Sequence, residues 1–231
     1  MATVRLRQLL AALAATLSMA LLSAGPALAA GIRVEAARQT VFQGDVTPFK
    51  GTLKGHKTTK STALGALVTA SRTKPFAIGL KYNDSFGAGW AGFFLDSVTG
   101  IAGTPSAFWA VKVDQKLTSV GIGSAVVTPS SKVLIYYTTF DPVTFATKPT
   151  LGISASDTTV KAGSSVTFSV NSFDDTGTAT ATGGAWVWVN GVASQADGNG
   201  QVTVRLSEGR YSVRATAPGT IRSKSMWVHA G

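Results

Sequence analysis

FFLDSVTGIAGTPSAFWAVKVD (Phe93–Asp114) sets out an apolar run, a Gly/Pro turn and a second β-rich run in succession. In the second run Val111 and Val113 alternate with Lys112 and Asp114, the period of a strand with one face on a core and one toward solvent. Phe108 and Trp109 are neighbours on that strand, so they point to opposite faces. One of them belongs to the core, and the other is exposed or covered by a further element.

The flanks extend the pattern. In STALGALVTASR, Ala63, Leu64, Leu67, Val68 and Ser71 fall at helical spacing behind a Ser61 or Thr62 cap. Gly65 inside that helix costs about 1 kcal/mol relative to Ala. Lys74-Pro75 ends it, because proline lacks the donor and disfavours helix before it. Ile32–Phe42 reads as a first strand or hairpin with turn chemistry at Gln43-Gly44-Asp45, and Phe49–Thr62 as a lysine-rich surface loop. Ala77–Tyr82, Phe93–Val98, Phe108–Val113 and Val133–Thr139 read as strands. Asn83–Gly92 is a glycine-rich loop carrying Phe86 and Trp90, and Leu117–Val127 a loop with a short strand.

Residues 141–150 hold Pro142 and Pro149 and read as a linker between a first domain at 31–140 and a second at 151–231. The second shows short strands at regular spacing: Ser165–Val170, Ala185–Val189, Gln201–Leu206, Tyr211–Ala215 and Ser225–Val228. That rhythm predicts a small antiparallel sandwich. Asn190-Gly191 is a hairpin signal, and Asp197-Gly198-Asn199-Gly200 a second tight turn.

Residues 1–30 read as a cleavable signal peptide. Arg5 and Arg7 form a basic start, Leu9–Leu22 an apolar run, and Ala27-Leu28-Ala29 a small-x-small site, with cleavage after Ala29 or Ala30. The run is shorter than the roughly 20 residues that span a bilayer, and no later stretch is long and apolar enough. The expected protein is therefore secreted, extracellular or associated with the cell surface. It has no cysteine, so packing alone holds it, without disulfides or thiolate metal sites. An alanine-rich leader and abundant Gly, Thr, Ser and Val fit a bacterial exported β-rich protein.

Charge is uneven. Residues 31–150 hold 13 Lys/Arg against 6 Asp/Glu, and residues 151–231 hold 6 against 5. Basicity of the first half fits acidic envelope polymers or membranes, or simple solubility. The lysine cluster around His56 lacks the aromatic interleaving of a nucleic-acid site, so no nucleic-acid partner is expected. Catalytic motifs are missing: there is no nucleophile elbow, HExxH, Walker or dinucleotide glycine motif, and His56 and His229 are isolated. Asp174-Asp175 and Asp197 read as turn carboxylates rather than calcium ligands. No metal and no catalytic residue is expected.

Thr62-Ala63-Leu64-Gly65-Ala66-Leu67, Ser97-Val98-Thr99-Gly100-Ile101, Phe108–Gln115, Ser119-Val120-Gly121 and Val133–Tyr137 occur in an order and spacing that resembles the transcobalamin C-terminal-like domain family, a module of bacterial exported proteins. The resemblance implies an α+β, β-grasp-like fold. It departs at Asp114-Gln115, where the family has Asn-Gly, and at Ser131-Lys132, where it has Gly-Asp. The large helical barrel with which the family's vertebrate members enclose cobalamin has no counterpart here, so cobalamin is not carried over as a cofactor. The second half resembles bacterial Ig-like or carboxypeptidase-regulatory-like sandwiches, through Val189-Asn190-Gly191, Asp197 with Gly200-Gln201-Val202, and Glu208–Val213.

The aromatics of the first half supply the expected binding surface: Tyr82, Phe86, Trp90, Phe108 and Trp109, with the Asn83–Gly92 loop forming a flat apolar patch. The expected function is a non-catalytic binding or adhesion module whose partner is a cell-surface polymer, a protein or a small ligand. A corrinoid (cobalamin) or other small-ligand carrier is the alternative, and a structural envelope component a further one.

Overall fold

The computed structural model describes residues 29–84 and 92–231. The leader up to residue 28, and Phe86 and Trp90 in the glycine loop, lie outside the described residues. Ala30 is buried and already paired with Val46, at the very start of the first strand.

The fold is mostly β with one described helix. In the N-terminal half the elements are β1 (Ala30–Glu35), β2 (Thr40–Val46), β3 (Gly51–Leu53), β4 (His56–Thr58), α1 (Ala63–Thr73), β5 (Ile78–Asn83), β6 (Gly92–Val98), β7 (Ile101–Ala102), β8 (Ala107–Val113), β9 (Lys116–Leu117) and β10 (Lys132–Thr139). The C-terminal half adds β11 (Thr150–Ala155), β12 (Thr159–Val160), β13 (Ser165–Phe173), β14 (Ala179–Ala181), β15 (Trp186–Val189), β16 (Val192–Gln195), β17 (Gln201–Arg205), β18 (Gly209–Thr216) and β19 (Met226–Ala230).

Five strands form the main N-terminal sheet in the order β2-β1-β10-β8-β9. Its central pair, β1 and β10, is parallel, and the other pairs are antiparallel. Ile32, Val34, Trp109, Val111, Val133 and Ile135 point to one face and meet α1 in a buried cluster. β5, β6 and β7 make a smaller sheet that contributes Leu80, Phe93 and Val98 to the same core. The Lys-rich segment expected as a loop closes instead into the β3–β4 hairpin. The turn expected at Gln43-Gly44-Asp45 falls at 36–39, and those three residues belong to β2.

Thr62 caps α1, its Oγ1 accepting from Gly65 N at 3.2 Å. The helix is buried on more than the one face its spacing implies. Ala63 N donates to Ala125 O and Leu64 N to Ile122 O, so the 121–127 segment covers its first turn from the other side. Gly65 is needed there, since a Cβ would lie 2.5 Å from Phe49 O, while Phe49 N donates to Gly65 O at 3.0 Å.

The C-terminal half is a two-sheet sandwich. β11, β13, β14 and β17 form one sheet, and β12-β19-β18-β15-β16 the other. β12 crosses between sheets and pairs in parallel with β19. Tyr211, near the start of β18, donates its hydroxyl to Ser207 O at 3.0 Å, the tyrosine corner of immunoglobulin-like sandwiches. Phe168, Val187, Val213 and Val228 fill the space between the sheets. Asn190 and Gly191, both at positive φ (47° and 88°), make the β15–β16 turn expected of an Asn-Gly pair.

The outer face of the N-terminal sheet is not solvated. Arg33, Glu35, Ala110, Lys112, Leu134 and Tyr136 are all buried. The strand period was right; the polar positions do share a face, but the C-terminal half covers it.

Gly65→Ala is expected to lower stability by about 1–3 kcal/mol in urea unfolding, because backbone crowding at Phe49 outweighs the better helix propensity of alanine.

Candidate functional site

The junction between the halves is held by two buried polar clusters. In the first, Glu35 is 1% exposed and accepts from Thr40 Oγ1 at 2.7 Å. Arg33 Nη1 lies 3.5 Å from its Oε1, and Arg222 Nε, from the C-terminal half, 3.2 Å from its Oε2. Arg33 also donates to Arg222 O at 2.8 Å, and Arg222 donates to the carbonyls of Ala36, Ala37 and Arg38 across the β1–β2 turn. Burial draws the Arg33 guanidinium down to about 10, against the pull of Glu35. Burial likewise pushes the Glu35 carboxyl above the usual carboxylate range.

In the second cluster Lys112 has no exposed surface. Its Nζ donates to Phe173 O (3.1 Å) and Asp174 O (2.8 Å) and lies 3.4 Å from Asp175 Oδ1. Burial pushes this ammonium below its usual range. Asp175 also accepts from Thr147 N (2.8 Å) and Thr147 Oγ1 (2.5 Å), and the Thr147 hydroxyl is 2.7 Å from the Tyr136 hydroxyl. Burial raises the Tyr136 phenol. The segment expected to be a linker thus supplies the buried Thr147 and Thr150. Asp175, read from sequence as a turn carboxylate, is an interface ligand of Lys112. Asp174 does cap its turn, accepting from Thr176 N and Thr178 N.

A third contact is a reciprocal pair. Gln43 Nε2 donates to Ser225 O at 2.8 Å and Ser225 N donates to Gln43 Oε1 at 3.0 Å. Beside it a groove of about 520 Å³ runs between the halves. Gly31, Gly44, Asp45 and Lys132 line one side; Leu151–Ser154, Asn171 and Phe173 line the other, with Lys224–Met226 at one end. Four consecutive residues of β11 line it, so the strand's edge, rather than one face, borders the groove. Along that edge Leu151 N donates to Ile221 O and Ile221 N donates to Pro149 O. A glycine floor, an open strand edge and charges of both signs suit an extended ligand with a polar backbone.

The structure separates the aromatics expected to form one patch. Tyr82, 39% exposed, stacks on His56 with ring centroids 3.4 Å apart and meets Phe93 edge-on at 5.1 Å. These three residues border a second cavity of about 350 Å³, with Lys57, Lys60 and Ser124. Trp109 is core: it is buried, donates Nε1–H to Ile101 O at 2.8 Å and packs on Tyr137 at 5.4 Å. Phe108 takes the opposite face, against Phe140 at 6.0 Å and the cluster of Ala110, Leu134, Tyr136 and Ile221 between the halves. Trp109 cannot present its ring to a ligand without opening the core, while Phe108 is half-buried. Phe86 and Trp90 lie outside the described residues.

The sequence places Lys112 on a solvent-facing register and marks no role for Arg33, Glu35 or Arg222. The available signal was three charged residues at alternate positions of strands with otherwise apolar partners. Among the described residues no group of His, Asp or Glu is arranged to hold a metal ion, and no helix is long and apolar enough to cross a membrane.

Residues 77–139, from the approach to β5 to the end of β10, match the family model of a domain of unknown function, DUF4430. No curated protein matches. Among solved structures, the D00-D0 domain of intimin is similar at 13% identity and a TM-score of 0.25, covering 68% of this chain and 79% of that one. Neither match names a ligand or an activity.

Arg222→Ala leaves Glu35 buried with Arg33 alone, an expected loss of about 3 kcal/mol. Arg38→Ala, on the β1–β2 turn that Arg222 grips through its carbonyls, removes an exposed side chain and is expected to cost about 0.5 kcal/mol or less. Urea denaturation of the two variants side by side checks both.

Proposed function

We propose that the chain is a non-catalytic binding module of the bacterial surface or extracellular space, and that the groove between its halves is the ligand seat. The observation that carries this reading is the groove itself, which lies between two bodies joined by buried ion clusters and so keeps its shape without a ligand. A preformed site loses less entropy on binding than one that must be assembled. In this reading the N-terminal sheet order, with α1 packed on one face and a parallel central pair, is a β-grasp arrangement, in keeping with the transcobalamin C-terminal-like resemblance. The immunoglobulin-like half is the second wall. The leader directs export, so the protein works outside the cytoplasm.

A small-ligand carrier is the second reading, favoured by the cavity beside the stacked His56–Tyr82 pair. The same resemblance makes cobalamin the ligand to test, although the helical barrel that completes the site in the family's vertebrate members has no counterpart in this sequence. Titration with cyanocobalamin distinguishes the two: a saturable change in the visible spectrum that is lost in His56→Ala supports the carrier. A structural envelope role rests on the basic N-terminal half and would show as retention abolished by salt alone.

Ser154→Trp places an indole at the exposed lip of the groove. Retention of the protein on isolated bacterial cell envelopes is expected to fall about tenfold or more, with the melting temperature within a few degrees of wild type. Unchanged retention by the folded variant contradicts the groove as the seat.

A further inference from the structure

The solvent face of the second C-terminal sheet carries a stripe of tryptophan and arginine that the groove does not use. Val187, Val213 and Val228 of β15, β18 and β19 point inward and are fully buried. Their neighbours Trp186, Trp188, Arg214 and Trp227 therefore point outward. Trp186 is 41% and Trp227 54% exposed. The register fixes the layout. Trp186 is opposite Thr216, Trp188 opposite Arg214, Ser212 opposite Trp227, and Arg210 opposite His229. Trp186 and Trp188 are thus about 7 Å apart along β15, and Trp227 lies two strands over and further along, at roughly 4.8 Å per strand. The stripe crosses the sheet diagonally, with Arg214 beside Trp188 and Arg210 beside Trp227.

Two of these groups are fixed in place. The Arg210 guanidinium lies 4.3 Å over the Trp227 ring, and Trp188 Nε1 donates to Thr216 Oγ1 at 2.9 Å. Exposed tryptophans in line on a sheet face are costly to leave in water and mark a binding surface. The charges say what kind. Arg210, Arg214 and His229 share the face, and none of the outward positions of β15, β16, β18 and β19 is a carboxylate. Glu208, close in sequence, sits in the turn ahead of β18.

We propose that this face binds a polyuronate, a carboxylate-bearing polysaccharide whose pyranose rings stack on Trp186 and Trp227 while its carboxylates pair with Arg214 and Arg210. A neutral glucan offers rings without charge, and a polyol phosphate offers charge without rings; a polyuronate offers both at every unit. Single-stranded nucleic acid also offers both, but its binders depend on a strongly basic field. This half, with 6 Lys/Arg against 5 Asp/Glu, lacks one. Arginine suits the carboxylate, because its planar fork matches the two oxygens.

Isothermal titration calorimetry of the full chain with polygalacturonate, dextran and oligothymidine tests this. Saturable binding of polygalacturonate is expected, weakening as salt rises. Dextran and oligothymidine should each bind at least about tenfold more weakly. W186A/W227A and R210Q/R214Q should each lose about tenfold or more in affinity for polygalacturonate, with melting temperatures near wild type because the replaced side chains are exposed. R214K, which keeps the charge but not the fork, gives a folded intermediate case should the double glutamine variant be unstable. No polygalacturonate binding, equal binding of dextran or oligothymidine, or full affinity in the folded W186A/W227A variant would each overturn the proposal.

Discussion

A lysine ammonium with no exposed surface ties one half of this protein to the other. Taking such a charge out of water costs several kcal/mol. At Lys112 that cost is offset by the carbonyls of Phe173 and Asp174 and by the Asp175 carboxylate, all contributed by the C-terminal half. The lysine can stay charged and buried only while the halves are docked. Glu35 sets the same condition on the other side of β10, since Arg222 must reach across to share its neutralisation with Arg33. Undocking would expose two sets of groups whose partners lie on the other body.

The rest of the arrangement follows. With the outer face of β1, β8 and β10 covered, the central sheet of the N-terminal half is packed on both sides, by α1 on one and by the sandwich on the other. The 141–150 segment is pinned by Thr147 and Thr150 rather than free to swing. The groove inherits its rigidity from these contacts, with Gln43 and Ser225 closing one side through a reciprocal amide pair. Residues outside the groove thereby set its geometry.

Much of this was legible in the chain. The Thr62 cap, the α1 spacing, the hairpin at Asn190-Gly191 and most strands of the sandwich follow from local rules that need no knowledge of the partner surfaces. Alternation also put Lys112 opposite in sense to Val111 and Val113. What alternation cannot say is whether the polar face meets water or protein, and here it meets protein. Arg222 lies in the aperiodic stretch Thr220–Ser225, so no pattern marks it as the partner of Glu35. The aromatics divide between core and surface for a related reason. Trp109 is an aromatic on a strand, yet its indole hydrogen-bonds Ile101 O inside the core, whereas Trp186 and Trp227 of the sandwich are exposed. Among the described residues of the expected set, Tyr82 stands at a cavity, stacked on His56.

The buried clusters hold the two halves as one body. The absence of cysteine makes the test direct, since Thr52→Cys and Gln201→Cys, one exposed site in each half, give a uniquely double-labelled protein. Pulsed electron–electron resonance between spin labels at these sites should return a single narrow distance distribution, which broadens when Arg222 and Lys112 are both replaced by alanine. A broad or multiple distribution in the otherwise unaltered protein would mean that the halves move independently and that the buried clusters do not hold them.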